Sequence, residues 1–327
     1  MRRLLQQLAP VLRLTRVTTA FAAVANVWFL ILWTRAHTGY ELPEASAAMQ
    51  DRPLWVLLLA GAGSALGLFS YGTSLNDVTD LHRDRSMKLD RPIGEGQISP
   101  EAVVLSVAGS LILAVLGATA FGTLAVLLTL LVALAILVFN VLGKFVPGFG
   151  MVLLGVIYAG HMLTPNVHAR FLIPVWLVMT HALVLAGLTH RLARRTPPIS
   201  RRAFVFAFIG WASVSTALAM LMWARVGTLW PEWVSPTAWI GPAVLAGLFV
   251  AMVVRRVRTL GVGPRAAEKV SRYGSLWLAL YACAWLMGAG QIRAMAVMGV
   301  LAGAGFLGMT MLRELYALGE HPVGYRR

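Results

Sequence analysis

Apolar residues in this chain come in long runs, not in the threes and fours of a soluble helix or the alternation of a strand. Ten stretches, at roughly 17–34, 53–75, 101–118, 121–140, 149–165, 171–190, 203–224, 237–254, 273–289 and 294–312, approach the length of about 20 mostly apolar residues that crosses a bilayer. Short segments rich in Arg, Pro and Gly separate them. Backbone inside lipid must satisfy its own hydrogen bonds, so such runs are expected to be helices. The pattern predicts an all-α polytopic membrane protein with about 9–10 transmembrane helices. No long polar stretch, Ser/Gly-rich linker or low-complexity tract marks a second unit, so residues 1–327 read as a single transmembrane domain.

Composition agrees with this reading and charge adds orientation. Charged residues make up 13% and hydrophobic residues 58%, with a mean hydropathy of +0.74; soluble domains carry about 25% charged residues. The formal net charge of +15 would suit a nucleic-acid binder, but position argues otherwise. With the N-terminus cytoplasmic, 23 of the 28 Lys and Arg residues fall on the cytoplasmic side, and only Arg35, Arg52, Arg170, Arg225 and Arg293 face outward. Both termini are therefore expected in the cytoplasm, and no nucleic-acid partner is expected. The basic segment before the first run has no A-x-A-like cleavage site after it and reads as leading into an uncleaved span. Arg outnumbers Lys 25 to 3, which points to a bacterial inner membrane. The single cysteine, Cys283, excludes an intrachain disulfide or a cysteine-ligated metal. Trp33, Trp55, Trp230, Trp233 and Trp239 all map to the outer boundary and suggest an interfacial belt. Glycines at 61, 63 and 67 and at 303, 305 and 308 suggest close helix packing.

Chemistry concentrates after the second run, in Ser74-Leu-Asn76-Asp77-Val-Thr-Asp80-Leu-His-Arg83-Asp84-Arg85 and then Asp90-Arg91-Pro92-Ile-Gly94-Glu-Gly96-Gln-Ile98-Ser99-Pro100. If the second helix continues past its apolar part, Asn76, Asp80 and Asp84 share one face, with Asp77 beside them. Aligned carboxylates repel one another and call for a cation. Magnesium takes one or two carboxylates plus water and phosphate oxygens, so the stripe reads as a Mg²⁺-diphosphate site. The competing reading is a solvated loop in which Arg83, Arg85, Lys88 and Arg91 pair with the acids. Ser99, Pro100 and Glu101 form a helix start.

These residues resemble the UbiA superfamily of intramembrane prenyltransferases. The family's first signature, Asn-x-x-x-Asp-x-x-x-Asp followed by Arg-Pro, a glycine and Ile-Ser, is matched by Asn76, Asp80, Asp84, Arg91-Pro92, Gly96 and Ile98-Ser99. Weaker echoes are 12–16 ahead of the first span and Asn140-x-x-x-Lys144 ahead of the fifth. The resemblance implies a helical bundle around a lateral cavity, with Mg²⁺ held by Asn76, Asp77, Asp80 and Asp84. It makes Asp80 and Asp84 catalytic, and brings Arg91 and Lys144 to a prenyl diphosphate whose prenyl group passes to a lipophilic acceptor.

The family's second acidic motif should fall near 186–200, but no Asp or Glu occurs between Glu101 and Glu232. Ile199-Ser200-x-x-Ala203 nevertheless echoes Ile98-Ser99-x-x-Ala102. If the two loops are equivalent, Arg191, Arg194 and Arg195 stand in place of the missing acids, where guanidinium groups bind a diphosphate directly. Alternatively they serve orientation or anionic lipid. His161, His181 and His190, with Asn26, are candidate cavity residues because ionisable and polar groups inside spans are default functional candidates; neutral packing is the competing reading. Phe69, Tyr71, Tyr158 and Trp176 are candidate shields for an allylic cation. Two functions follow. One is a Mg²⁺-dependent prenyltransferase acting on a hydrophobic or aromatic acceptor. The other is a catalytically inactive UbiA-like protein, similar to the EboC-like branch, that binds or helps export a prenyl lipid or glycolipid. A transporter is weaker, for want of a broken-helix pair.

Overall fold

A computed structural model describes residues 17–40, 49–81 and 99–320. Among these residues the ten long helices are α1 (Val17–Ala36), α2 (Leu54–Thr79), α3 (Pro100–Ala118), α4 (Thr123–Val141), α5 (Pro147–Leu163), α6 (Ile173–Leu192), α7 (Arg201–Val226), α8 (Ile240–Leu260), α9 (Pro264–Gly288) and α10 (Ile292–Glu320). Each coincides with one apolar run. Seven are long and apolar enough to cross a membrane, and α1 and α5 are shorter apolar helices. The protein is an all-α polytopic membrane protein.

Several helices outlast their apolar runs, because hydropathy marks the lipid-embedded part and not the hydrogen-bonded part. The clearest case is α9, whose first turns carry Arg265, Glu268, Lys269 and Arg272 while Ala266, Ala267 and Val270 are buried. One face of that extension packs on the bundle and the other is polar.

Helix α1 lies at the centre, packed against α2, α5, α9 and α10. It is apolar all round, as a helix enclosed on several sides must be, and Ala25, Val27, Leu30 and Ile31 are fully buried. On one flank α2 packs against α3 and α4, and α4 against α5; on the other, α6 joins α5 and α9. At the α2–α3 crossing, a Cβ on Gly67 would lie 2.5 Å from the Ala114 backbone nitrogen and 2.7 Å from the Ser110 oxygen, so only glycine permits this approach. Among the other glycines expected to pack, Gly61 and Gly305 do so, whereas Gly303 and Gly308 face open space. Phe204, Phe206, Phe208 and Ile209 on α7 are exposed, as on a lipid-facing helix.

The expected tryptophan belt divides. Trp55 and Trp239 are exposed, but Trp33 is buried in an aromatic cluster with Phe171 at 5.4 Å, His37 at 4.5 Å and Trp233 at 6.3 Å, and Trp230 packs edge-on to Phe171. Large flat rings from three segments fill a common core there, which an interfacial position on one helix does not reveal.

Candidate functional site

Helix α2 carries the first half of the acidic signature. Phe69, Gly72, Thr73 and Asn76 recur at helical spacing along one face of it. The helix ends at Thr79, and Asp80 is its C-cap, with its N–H bonded to the Asn76 carbonyl at 3.0 Å. The regular helix therefore ends at Thr79, but this bond keeps Asp80 one helical turn beyond Asn76, as the spacing predicts. Asp84 and Arg91 lie outside the described residues.

Asp77 and Asp80 are both buried, at 6% and 8% exposure. They also sit at the negative end of the α2 dipole, where carboxylates are disfavoured, and the last turn holds no basic residue. Compensation comes from another part of the chain. Lys144 donates from Nζ to Asp80 Oδ1 at 2.6 Å and to Thr79 Oγ1 at 2.9 Å. Asn76 Nδ2 faces Asp77 Oδ1 at 3.5 Å.

The position of Lys144 follows from its local sequence. After α4, Gly143–Phe145 form one turn of 3₁₀ helix, and Pro147 starts α5 at a position that needs no N–H. A Cβ on Gly150 would collide with the Gly143 carbonyl oxygen, so glycine there lets the turn fold tightly onto α5.

Beneath this ion pair lies a cavity of about 260 Å³ bounded by α1, α2, α4 and α5. Asn76 and Asn140 line it, and the ion-pair residues Asp80 and Lys144 follow them by four positions each. The paired charges therefore stand about one turn beyond the two amides. Asn140 Nδ2 is itself tied to the Ile136 carbonyl at 2.9 Å. Below the amides the walls are mainly apolar, including Leu68, Val132, Ile136 and Ile157.

The remaining sequence candidates separate. His161 lines the cavity, as do Phe69 and Tyr158. Asn26 lies instead at a separate small pocket with Met162, Tyr281 and Trp285. His181 packs against Phe249 at 4.6 Å and bonds through Nε2 to the Gly274 oxygen at 2.9 Å. His190 Nε2 bonds to the Pro197 oxygen at 2.8 Å. Tyr71 is in a core cluster, and Trp176 donates to Ser215 Oγ at 2.9 Å. Neither lines the cavity. Arg191, Arg194 and Arg195 are exposed at and just after the end of α6.

The loop echo has a structural counterpart. Ser99 Oγ accepts from the Ala102 N–H at 3.2 Å and Ser200 Oγ from the Ala203 N–H at 3.1 Å, so both helices begin with the same cap. Sequence reasoning overlooked Thr79 and Thr73. The first lies inside the signature and the second lies three residues before Asn76 on the same face, so helical spacing alone identifies Thr73 as cavity-lining.

The residues present suit a magnesium ion. Asn76, half-buried, and the buried Asp77 and Asp80 offer hard oxygen donors within five residues of one another. Among the described residues no three His, Cys, Asp or Glu side chains form a metal-holding group. The protein set is thus two carboxylates and an amide, which fits an ion that keeps water and substrate oxygens as further ligands.

No curated protein sequence matches the chain significantly. A solved structure of digeranylgeranylglyceryl phosphate synthase is 18% identical, with a TM-score of 0.54, over 87% of this chain and 99% of that one, and so shares its fold. A UbiA homolog from Archaeoglobus fulgidus bound to DMAPP and Mg²⁺ is 13% identical, with a TM-score of 0.44, over 93% and 98% of the two chains. The apo structure of a UbiA homolog from Aeropyrum pernix K1 is 17% identical, with a TM-score of 0.43, over 89% and 97%. The sequence pattern of the UbiA prenyltransferase family matches residues 44–263, two thirds of the length and all of the acidic signature, and on this ground the chain belongs to the UbiA prenyltransferase family.

Proposed function

We propose that this protein is an intramembrane prenyltransferase that moves a prenyl group from its diphosphate to a hydrophobic or aromatic acceptor. The observation that carries the reading is the Asp80–Lys144 ion pair, with Asp77 beside it, standing about one turn beyond Asn76 and Asn140 at one end of a mainly apolar cavity. That combination holds a charged leaving group at one end and a hydrocarbon at the other.

Asn76, Asp77 and Asp80, with Asp84 by family resemblance, would hold Mg²⁺, and the bound ion would supply positive charge for the departing diphosphate. Lys144, held by Asp80 and Thr79, stands ready to exchange these partners for phosphate oxygens. Arg91 and Arg191, Arg194 and Arg195 are further candidates for the diphosphate, through charge-assisted hydrogen bonds. The apolar walls keep water from the allylic carbon while its bond to oxygen breaks, and the aromatic rings of Phe69 and Tyr158, which line the cavity, would stabilise the charge that develops there. The acceptor's carbon then forms the new bond, and its proton leaves to solvent. The setting is a cell membrane, with the reactive end on the cytoplasmic side as the basic residues predict.

The test is turnover of radiolabelled prenyl diphosphates against a panel of phenolic, quinol and sugar-lipid acceptors, for the wild type and for Asp80→Ala and Asp84→Ala. Mg²⁺-dependent product from the wild type and none from the variants is expected; full activity in both variants refutes the assignment. The acid-free stretch between Glu101 and Glu232 favours a second reading, a catalytically inactive member that binds or helps export a prenyl lipid. Binding of prenyl diphosphate with no consumption across the whole panel supports that alternative.

A further inference from the structure

The inner end of the cavity contains one feature that diphosphate binding does not use. Helix α5 runs inward from the Lys144 turn, and His161 is the last of its cavity-lining residues, 14 residues beyond Pro147. Its neighbour Gly160 packs on Val132, with a Cβ there 2.9 Å from Val132 Cγ2. Val132 in turn precedes Asn140 by eight residues on α4. At 1.5 Å per residue this places His161 about 12 Å below the amide rung of Asn76 and Asn140.

His161 is 7% exposed, and its Nε2 is buried with no hydrogen-bond partner. His181, similarly buried on the next helix, has its Nε2 satisfied by Gly274. Buried polar atoms are paired in the great majority of cases, and an unpaired one is a standing penalty to the fold. A hydrocarbon tail reaching this depth leaves the penalty in place, because it offers the ring nothing. A molecule with an oxygen at that depth removes it once the ring, which lines the cavity, turns its enclosed Nε2 toward that oxygen.

We propose that His161 is the polar anchor for the lipophilic acceptor: its imidazole hydrogen-bonds an uncharged hydroxyl or carbonyl oxygen of the molecule in the inner half of the cavity, turning the reacting carbon toward the Asp80–Lys144 end. His161 is a positioning residue for the acceptor and has no part in holding the diphosphate. The word acceptor rests on the transferase reading above; the oxygen-recognising site does not.

The test uses full-length protein in nanodiscs and the probe pair 2-naphthol and 2-methylnaphthalene, alike in shape and differing in hydroxyl against methyl. Equilibrium dialysis of each labelled probe, with empty nanodiscs as the blank, measures the preference. The wild type is expected to favour 2-naphthol by about tenfold, the effect of one buried hydrogen bond. His161→Phe fills the space without a partner and should abolish the preference; His161→Gln keeps a polar end and should retain part of it. Equal binding of the two probes by the wild type overturns the proposal, as does a preference that survives in His161→Phe. Geranyl S-thiolodiphosphate with Mg²⁺, bound equally by the wild type and His161→Phe, confines the effect to the acceptor. Should the thiolodiphosphate bind to neither while the naphthol preference still depends on His161, the anchor stands and the transferase reading falls.

Discussion

Substituting Lys144 by Met keeps the reach of the side chain and removes its ammonium group. Asp80 then retains a buried carboxylate at the unfavourable end of α2, beside Asp77, without the donor that now lies 2.6 Å away. Removing one partner of a buried pair costs about 3–5 kcal/mol. The side chains of Lys144 and Asp80 keep 14% and 12% exposure, so water reaches the stranded charge and the lower end, about 3 kcal/mol, is expected. Asp80→Asn strands the cation instead. That cation keeps the Thr79 hydroxyl and has a longer stem with which to reach solvent, so the cost falls to about 1.5 kcal/mol. The double variant holds no charge on either side and should lie about 2 kcal/mol below the wild type, leaving a favourable coupling of roughly 2.5 kcal/mol.

Thermal unfolding in one detergent, followed by the fluorescence of the 11 tryptophans, measures all four corners of this cycle. For a chain of this size 3 kcal/mol corresponds to a fall of about 4 °C in Tm. Magnesium adds a second axis, because an ion that binds only the folded state raises its stability by about 1.4 kcal/mol at ten times its Kd. It should recover part of the Lys144→Met loss and leave the double variant unchanged. Additivity of the two single changes within about 0.5 kcal/mol would refute the reasoning, since the pair would then not supply what compensates Asp80.

Three other outcomes follow. Gly150→Ala lies within α5, where Ala usually stabilises by about 1 kcal/mol over Gly; here the new Cβ meets the Gly143 carbonyl, so Tm should fall instead and Mg²⁺-dependent turnover should fall further as the Lys144 turn shifts. His37, just past α1, is held below the usual imidazole range by burial, against the smaller opposing effect of its hydrogen bond to the Trp33 carbonyl. The unfolded chain therefore takes up the proton first, so stability present above about pH 6.5 is lost as pH falls toward the depressed value, and His37→Gln should flatten the decline in Tm between pH 7 and 5. Replacing Arg191 and Arg194 together by Ala should weaken thiolodiphosphate binding about tenfold, with less dependence on salt, whereas unchanged binding assigns them to orientation or lipid.

Sequence revealed the helices because each span must bury its own backbone polar groups, and apolar length records that requirement directly. The local half of the site was legible for a related reason: Asn76, Asp77 and Asp80 lie within five residues and share a helix end. The resemblance also brought Lys144 to the site, but not its pairing with Asp80, since Lys144 lies 64 residues away and reaches that carboxylate through a 3₁₀ turn that folds onto α5 between Gly143 and Gly150. His161 and His181 look alike in sequence, each a lone imidazole in an apolar run. What separates them is the Gly274 carbonyl, supplied by α9 to one and not to the other. Likewise Trp33 and Trp55 both fall at a span boundary, and only the arrival of Phe171 and Trp233 buries the first.

The loss of the second acidic motif is intelligible once capping is separated from chemistry. Ser99 and Ser200 each accept the N–H of the residue three positions on, and this bond fixes the start of α3 and of α7 whatever charges precede it. A loop anchored by its cap can exchange carboxylates for guanidiniums without disturbing the helix that follows. On the function proposed above, such an exchange replaces a recruited ion by fixed cations: Arg191, Arg194 and Arg195 bring charge at every magnesium concentration, whereas paired carboxylates attract a diphosphate only when metal is bound. One acidic group then sets the whole metal requirement. The saturation of turnover by Mg²⁺ should follow a single-site curve, and a second-order dependence would return the missing ion to the site.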